Sequence, residues 1–283
     1  MSTPTEELQA RARSLLEGGE VDLVIGHGQG NHPQRTTPVF ITKADDVAQL
    51  VLSPFCRNNL ANWLTRKDIR SRFKRIALVA KEPDLRAVIV LIQEHQVDPQ
   101  AVRLIGVRVD RPGDPSSPCA LLPQTTLEEL QKHLKGDFQG RDLTPDQLRQ
   151  VEELEKRTPA ERWAFWREQL AKCIRCHACR QACPMCYCDQ CVATMNQPQW
   201  VDTSAHPVGN FAWNTIRAFH LAGRCINCGE CERACPVGIP LMLLNRFLAR
   251  QVKAHFAYLA GYDTEEYQPF ASYKPEDTED FIR

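Results

Sequence analysis

A repeated cysteine pattern constrains this chain more than any other feature of its sequence. Eleven of its 13 cysteines lie between Cys173 and Cys235. Within that interval two segments share the spacing C-x2-C-x2-C-x3-C-P, the first running from Cys173 to Pro184 and the second from Cys225 to Pro236. Three thiolates at this spacing sit on a tight loop around one face of an iron–sulfur cube. The repeat therefore predicts two [4Fe–4S] clusters.

The fourth cysteine of each motif is expected to serve the cluster of the other motif. It lies about a helical turn beyond the third cysteine, points away from that loop, and ligates the other cluster in two-cluster ferredoxins. Cluster 1 is therefore assigned to Cys173, Cys176, Cys179 and Cys235. Cluster 2 is assigned to Cys225, Cys228, Cys231 and Cys183. We call this exchange of fourth ligands crossed ligation, and it requires the two motifs to fold together.

Two other kinds of metal site, a structural zinc site and a radical-SAM cluster, are alternatives to this assignment. A structural zinc site needs only C-x2-C pairs and leaves the third and fourth cysteines of each motif unexplained. Cys179, Cys183 and Cys186 have the spacing of radical-SAM enzymes, but two of them are already used by the repeat. Neither accounts for both motifs, so the sequence favours two clusters.

Three further cysteines follow the first motif directly, and their role stays open. They are Cys186, Cys188 and Cys191. They could form an extra metal centre completed by Cys56, Cys119 or His206, they could be thiols buried beside the clusters, or one could replace a crossed ligand.

Composition indicates a globular chain in a reducing compartment. Lys plus Arg and Asp plus Glu number 35 each, and this balance gives no attraction to nucleic acid or an anionic membrane. We expect no secretory signal and no membrane span, because the first residues lack a basic and apolar leader and no apolar run is long enough. Clustered free thiols then predict a cytoplasmic protein.

Hydrophobic periodicity predicts an α+β protein, with a small α/β domain followed by a mainly helical ferredoxin-type domain. Strands are expected near 21–25, 38–42, 75–80 and 102–107, with a helix at 83–95 that makes a βαβ unit. A broken helix is expected over 45–67, and a flexible turn or a weak dinucleotide loop at Gly26-His-Gly28-Gln-Gly30. The predicted divisions are an N-terminal helix (1–20), the α/β domain (21–124), a helical connector (125–170), the dicluster domain (171–262) and a polar, extended tail (263–283).

Positively charged residues close to the motif cysteines could change the reduction potentials of the clusters. A cube with four thiolates is a net anion, so nearby cations raise its potential. The simpler interpretation is a solvated face, which we expect for most of them, and His177 is expected to be an exposed loop residue. The cations are Lys172, Arg175, Arg180, Arg224 and Arg233.

The α/β segment resembles the N-terminal domain of the coenzyme F-420 (deazaflavin) hydrogenase/dehydrogenase β-subunit family. The resemblance covers roughly 21–110 and rests on Val24-Ile-Gly26, Thr37–Ile41, Ser53–Leu60, Ala80-Lys81, Asp84–Ala87 and Leu104–Val107. The runs Cys173–Cys191 and Arg217–Cys225 are similar to iron–sulfur subunits that accompany formate dehydrogenases and heterodisulfide-reductase-like complexes. Members of the family are iron–sulfur flavoproteins. Where the family has Gly-Lys-Gly-Cys-Asp, however, this chain has Ala80-Lys-Glu-Pro-Asp84, which is stiffer and offers less room to FAD.

The motifs and the resemblance together imply an electron-transfer subunit of a cytoplasmic oxidoreductase complex in anaerobic metabolism. Its partners are expected to be redox subunits containing flavin, nickel–iron or molybdenum/tungsten, with no nucleic acid and no direct membrane span. No catalytic residue and no cofactor-binding residue outside the clusters is assigned. The alternative is a flavin-dependent oxidoreductase β subunit with a catalytic site of its own.

Overall fold

The computed structural model describes residues 2–123, 126–138, 143–195, 197–202, 204–266 and 268–270. No helix in these ranges is long and apolar enough to cross a membrane. The strands are β1 (Leu23–Gln29), β2 (Thr36–Ile41), β3 (Ile76–Ala80), β4 (Val102–Val109) and β5 (Cys119–Leu121). The helices are α1 (Pro4–Glu17), α2 (Lys67–Arg70), α3 (Glu82–Gln93), α4 (Leu127–Phe138), α5 (Pro145–Glu155), α6 (Pro159–Ala171), α7 (Ala178–Ala182), α8 (Pro207–His220), α9 (Glu230–Arg233) and α10 (Leu241–Phe256).

The five strands form one mixed sheet in the order β2-β1-β3-β4-β5. The central strands β1, β3 and β4 are parallel, and the two edge strands pair antiparallel. All five residues of β3 are buried, as expected for a central strand covered on both faces. Helix α3 connects β3 to β4, so the predicted βαβ unit is present. A mixed sheet followed by helices confirms the α+β class.

Gly26 to Gln29 of the glycine-rich run lie inside β1, and only Gly30 follows it, so the expected flexible turn was wrong. A Cβ at Gly26 would come within 2.4 Å of Leu50 Cδ2, and one at Gly28 within 2.5 Å of Val39 Cγ1. These glycines are therefore required by close packing within and beside the sheet rather than by a loop around a ligand.

The broken helix expected over 45–67 was also wrong. Two short 3₁₀ helices, Ala44–Gln49 and Leu60–Trp63, flank an irregular turn that contains Pro54. The Asn59 side chain caps the second of them by accepting a hydrogen bond from the Ala61 amide at 3.1 Å. Proline and these local caps favour short turns over a continuous helix.

The α/β part and the cysteine-rich part share one continuous buried core. Arg224 forms a two-pronged ion pair with Glu94, whose side chain is 6% exposed, at the end of α3. The amide of Asn59 donates to Glu230 Oε1 at 2.9 Å, and Asn62 Nδ2 donates to the Gln181 carbonyl at 2.9 Å. Both motifs are thus fixed to the sheet domain, while the division boundaries given above stay predictions.

The first part of the predicted tail packs on the protein. Gln93 Nε2 donates to the carbonyls of Asp263 at 2.6 Å and Glu266 at 2.9 Å. The ring of Phe270 packs edge-on against Phe256 at 5.2 Å. An extended arm was expected from 263 onward; residues 263–266 and 268–270 are instead held by these contacts, and 271–283 lie outside the described residues.

A buried histidine in β1 predicts that the folded chain is sensitive to acid. His27 is 1% exposed, and its Nε2 has no hydrogen-bond partner among the residues that the structure describes. Burial, with the charge of Lys81, lowers the pKa of His27 well below 6.5. The unfolded chain therefore binds an extra proton below about pH 6.5, and stability falls as the pH drops, by up to about 1.4 kcal/mol per pH unit.

The urea midpoint should therefore fall less between about pH 7.5 and 5.5 in His27→Gln than in the wild type. His32 is exposed, and His32→Gln is the matched control that should keep the wild-type pH dependence. Equal pH dependence in His27→Gln and the wild type would show that His27 is not the acid-sensitive group.

Candidate metal centres

The two cysteine motifs adopt the same backbone conformation. Arg175 and Asn227, each two residues after the first cysteine, both have φ of 57°. His177 and Gly229, each one residue after the second cysteine, have φ of 60° and 77°. Helices α7 and α9 begin directly after these residues. Because left-handed non-glycine residues are uncommon, their repetition at equivalent positions shows that the sequence repeat is also a structural repeat.

The first motif gathers a cysteine from the second. The Cys179 thiol interacts electrostatically with the thiols of Cys173 and Cys235. These three cysteines also pack on one small apolar core that includes Leu170, Ile239 and Cys231 and is contacted by Cys225. Burial first, and then the thiols of Cys186, Cys173 and Cys235, raise the pKa of Cys179 to about 11. Cys176, the other cysteine assigned to cluster 1, is exposed on the same loop.

The second motif brings its own first three thiols together. Cys228 interacts electrostatically with Cys225 and Cys231. Burial raises the pKa of the Cys228 thiol, and burial raises that of Cys231 to about 12, with the neighbouring thiols adding to both shifts. Cys183, from the first motif, is 8% exposed in the main core, and Cys225 and Cys228 pack against that same core.

These thiols fit iron–sulfur cubes better than single metal ions or disulfides. None of the 13 cysteines is joined to another by a disulfide bond. Within the described ranges no three His, Cys, Asp or Glu side chains converge as ligands of one ion would. In a cube each thiolate binds its own iron, so its ligands surround the cube instead of meeting at one point. Buried thiols that repel one another when ionised need the positive charge that iron supplies.

One face of α8 lines the first motif, and sequence reasoning missed it. Asn210 Nδ2 donates to the Cys173 carbonyl at 2.7 Å. Trp213 lies 5.2 Å from both the guanidinium of Arg175 and the ring of His177. One turn further on, Arg217 donates to the Cys179 carbonyl at 3.0 Å. The available signal was a series of polar side chains at helical spacing in an otherwise apolar helix.

Helix α10 lines the second motif in a comparable way. Asn245 is buried, and its Nδ2 donates to Cys231 Sγ at 3.7 Å. Arg246 Nε donates to Asn227 Oδ1 at 2.8 Å. Hydrogen bonds to the sulfurs are among the features that set cluster potentials. A cluster ligated by Cys231 would therefore receive a hydrogen bond from Asn245 at that sulfur.

The cations next to the motif cysteines do not form one solvated face. Lys172 and Arg233 are exposed, as that interpretation expects. Arg175 is 8% exposed, so a solvated position was wrong for it. Arg224 forms an ion pair with Glu94, and its guanidinium lies over the ring of Tyr187. His177 is half-buried against Trp213, so the expected exposed histidine was wrong as well.

The three cysteines after the first motif have different environments. Cys186 is half-buried and hydrogen-bonded to Cys183, and its pKa is raised well above 9.0 by that bond and by burial of the thiol. Cys188 is exposed, and Cys191 packs on a separate small core that includes Trp213. The extra metal centre stays a prediction.

None of the three side chains proposed to complete that centre has a contact that requires a metal. His206 caps α8 and lies 3.1 Å from Asp202. Cys56 is buried beside Ser53, and Cys119 lies in the edge strand β5. Each side chain therefore has a local structural role.

Residues 172–240 match the family model of the 4Fe-4S dicluster domain. This range contains all eight cysteines of the repeat and the three that follow the first motif. The chain therefore carries a domain for two [4Fe–4S] clusters, as the spacing predicted.

Two curated proteins are similar to part of the chain. The F420-dependent formate dehydrogenase subunit beta of Methanocaldococcus jannaschii is 32% identical over 98 residues, and the F420-dependent formate dehydrogenase 1 subunit beta of Methanococcus maripaludis is 35% identical over 100 residues. Each match covers 35% of this chain and 25% of the relative, so the chain spans about a quarter of the length of these relatives.

Among solved structures, the chain matches one from the F420-reducing [NiFe] hydrogenase complex of Methanosarcina barkeri. The identity is 15%, the TM-score is 0.29, and the match covers 45% of this chain and 41% of that one. A superposition this partial supports no conclusion about fold.

Proposed function

We propose that this chain is a non-catalytic electron-transfer subunit of a cytoplasmic oxidoreductase complex. It relays electrons through its two clusters between partner redox subunits of the formate dehydrogenase, hydrogenase or heterodisulfide-reductase-like kind. Both similar proteins are beta subunits of F420-dependent formate dehydrogenases, which supports formate dehydrogenase as the first partner to test. The cytoplasm is proposed because free, clustered thiols persist in a reducing compartment.

The observation that carries the proposal is that two cysteine loops of equal conformation meet at one small core, which Cys173, Cys179, Cys225 and Cys235 contact. Cys235 interacts with the Cys179 thiol, and Cys183 belongs to the main core, against which Cys225 and Cys228 also pack. These contacts support crossed ligation of cluster 1 and cluster 2 by the eight cysteines assigned above. When bound, such clusters accept and release single electrons. Holding both sets in one module provides two successive redox positions a short distance apart.

The remaining parts of the chain have a positioning role in this proposal. The ion pair of Arg224 with Glu94, and the hydrogen bond from Asn59 to Glu230, anchor the module to the sheet domain. Cys176 is the exposed cysteine of the first motif, which supports electron entry or exit on that side. The sheet domain is then available to dock a partner.

The proposal is tested by isolating the chain without oxygen, together with whatever subunits bind it. We expect a brown chain without flavin that has no oxidoreductase activity alone, and that carries electrons only when a catalytic subunit is added. Turnover of formate or hydrogen by the isolated, reconstituted chain would contradict a non-catalytic role.

A second candidate, a flavin-dependent β subunit, is favoured by one cavity. A space of about 400 Å³ lies at the carboxyl ends of β3 and β4, and its lining includes Lys81, Arg108 and Cys228. Ligands of open α/β sheets bind at this edge, and a cofactor here would lie beside the second motif. However, the Lys81 amide already donates to the Asp84 carboxylate at 3.0 Å, so it is not available to a cofactor. Glu82-Pro83 also stands where the resembling family has flexible glycine.

Flavin content separates the two candidates. The proposal of a non-catalytic electron-transfer subunit predicts no flavin absorbance in the supernatant of the denatured holoprotein. A stoichiometric flavin that is lost in Arg108→Ala but retained in Arg103→Ala, an arginine of β4 outside the cavity lining, would establish the second candidate.

A further inference from the structure

A buried arginine lies between the two sets of cluster cysteines. Arg217 is 6% exposed on α8, and its Nε has no hydrogen-bond partner in the described structure. Its guanidinium interacts electrostatically with Cys179 and Cys183 of the first motif, with Cys231 of the second, and with Cys186, which follows the first motif. Its Nη2 donates to the Cys179 carbonyl at 3.0 Å, and its side chain is also hydrogen-bonded to Cys186.

No carboxylate accounts for the burial of this charge. Among the ion pairs of the described residues, Arg217 has none, whereas its neighbour Arg224 is paired with Glu94. A guanidinium cannot lose its proton in a protein, and an unpaired buried charge is strongly unfavourable. The negative charge that offsets it therefore comes from the surrounding thiolates, which are Cys179 of cluster 1, Cys183 and Cys231 of cluster 2, and Cys186.

From this placement we propose that Arg217 is a positioning and tuning residue common to both clusters, which raises both reduction potentials together. The inference rests on the proposed function. Each one-electron reduction adds negative charge close to a fixed, poorly screened cation, so the reduced form of either cluster is stabilised. Exposed cations such as Lys172 are screened by water and have a much smaller effect.

The test is a redox titration of the anaerobically purified full chain, with dithionite and mediators, followed by electron paramagnetic resonance (EPR). In Arg217→Gln the equilibrium constant for reduction should fall at least tenfold at both clusters, a downward shift of about 59 mV or more for one electron. Arg217→Lys keeps the charge and should remain close to wild type at both clusters. Lys172→Gln, the matched control next to Cys173, should leave both potentials unchanged.

The outcomes separate this inference from the proposed function. If wild type has two clusters and Arg217→Gln has unchanged potentials, the inference is wrong and the electron-transfer role stands. If Arg217→Gln fails to hold iron, the charge effect is tested with Arg217→Lys instead. Wild-type iron and wild-type potentials in the lysine variant support the charge effect, and a tenfold fall at both clusters in that variant contradicts it. A wild-type chain without two clusters overturns the proposed function itself.

Discussion

Removing Cys176 and Cys235 together should cost the chain no more iron than removing Cys176 alone. Under crossed ligation both cysteines serve cluster 1, so Cys176→Ala and the double variant each fall from about eight irons per chain to about four. Cys176→Ala combined with Cys183→Ala should instead lose nearly all the iron, because the second substitution removes a ligand of cluster 2. Iron and acid-labile sulfide, measured after anaerobic reconstitution, distinguish the two double variants.

The remaining cluster should also be altered in the single variants. Each fourth cysteine connects the two motifs, so collapse at one cluster shifts the EPR signal of the other. Cys119→Ala, in the edge strand β5, is the control and should keep both clusters. The opposite order of iron loss in the two double variants would mean that each motif binds its own cluster, and crossed ligation would be wrong.

The largest stability effect is expected at the ion pair where β3 meets α3. Lys81 Nζ lies 2.7 Å from Asp84 Oδ2, and the side chains are 8% and 0% exposed. The Asp84 carboxylate also accepts from the amides of Lys81 at 3.0 Å and Leu60 at 2.5 Å. Asp84→Ala leaves a buried ammonium and two amides without this partner, and it should cost about 3–5 kcal/mol of unfolding free energy.

Urea unfolding followed by circular dichroism measures this loss. Asp68 is exposed in α2, and Asp68→Ala should stay within about 0.5 kcal/mol of wild type. The double variant Lys81→Ala/Asp84→Ala should cost less than the sum of the single variants, because it removes the uncompensated charge. A loss below about 1 kcal/mol in Asp84→Ala would show that the pair does not stabilise this junction.

The sequence predicted most where chemistry fixes spacing. A tight loop around a cube requires cysteines separated by two residues, so both cluster motifs, Cys173 to Pro184 and Cys225 to Pro236, could be predicted without a structure. The central strands could also be predicted, because a fully buried strand such as β3 is continuously apolar.

The sequence predicted least where a residue's role depends on distant neighbours. Gly26 resembled a loop residue because nothing local shows Leu50 packed against it. Arg217 was overlooked because it is 38 residues from Cys179, the residue whose carbonyl it contacts. Asp84 and Leu60 are 24 residues apart, and only the folded chain brings them together. Such contacts are tertiary, and propensity and periodicity carry no information about them.

The central claim, two clusters held close together by one module, is tested most directly by EPR of the full chain. After anaerobic isolation and reduction with dithionite, the account predicts signals that integrate to about two spins per chain and are broadened by spin–spin interaction, with about eight irons. A single unbroadened signal with about four irons, or a colourless chain that contains zinc and no iron, would contradict it.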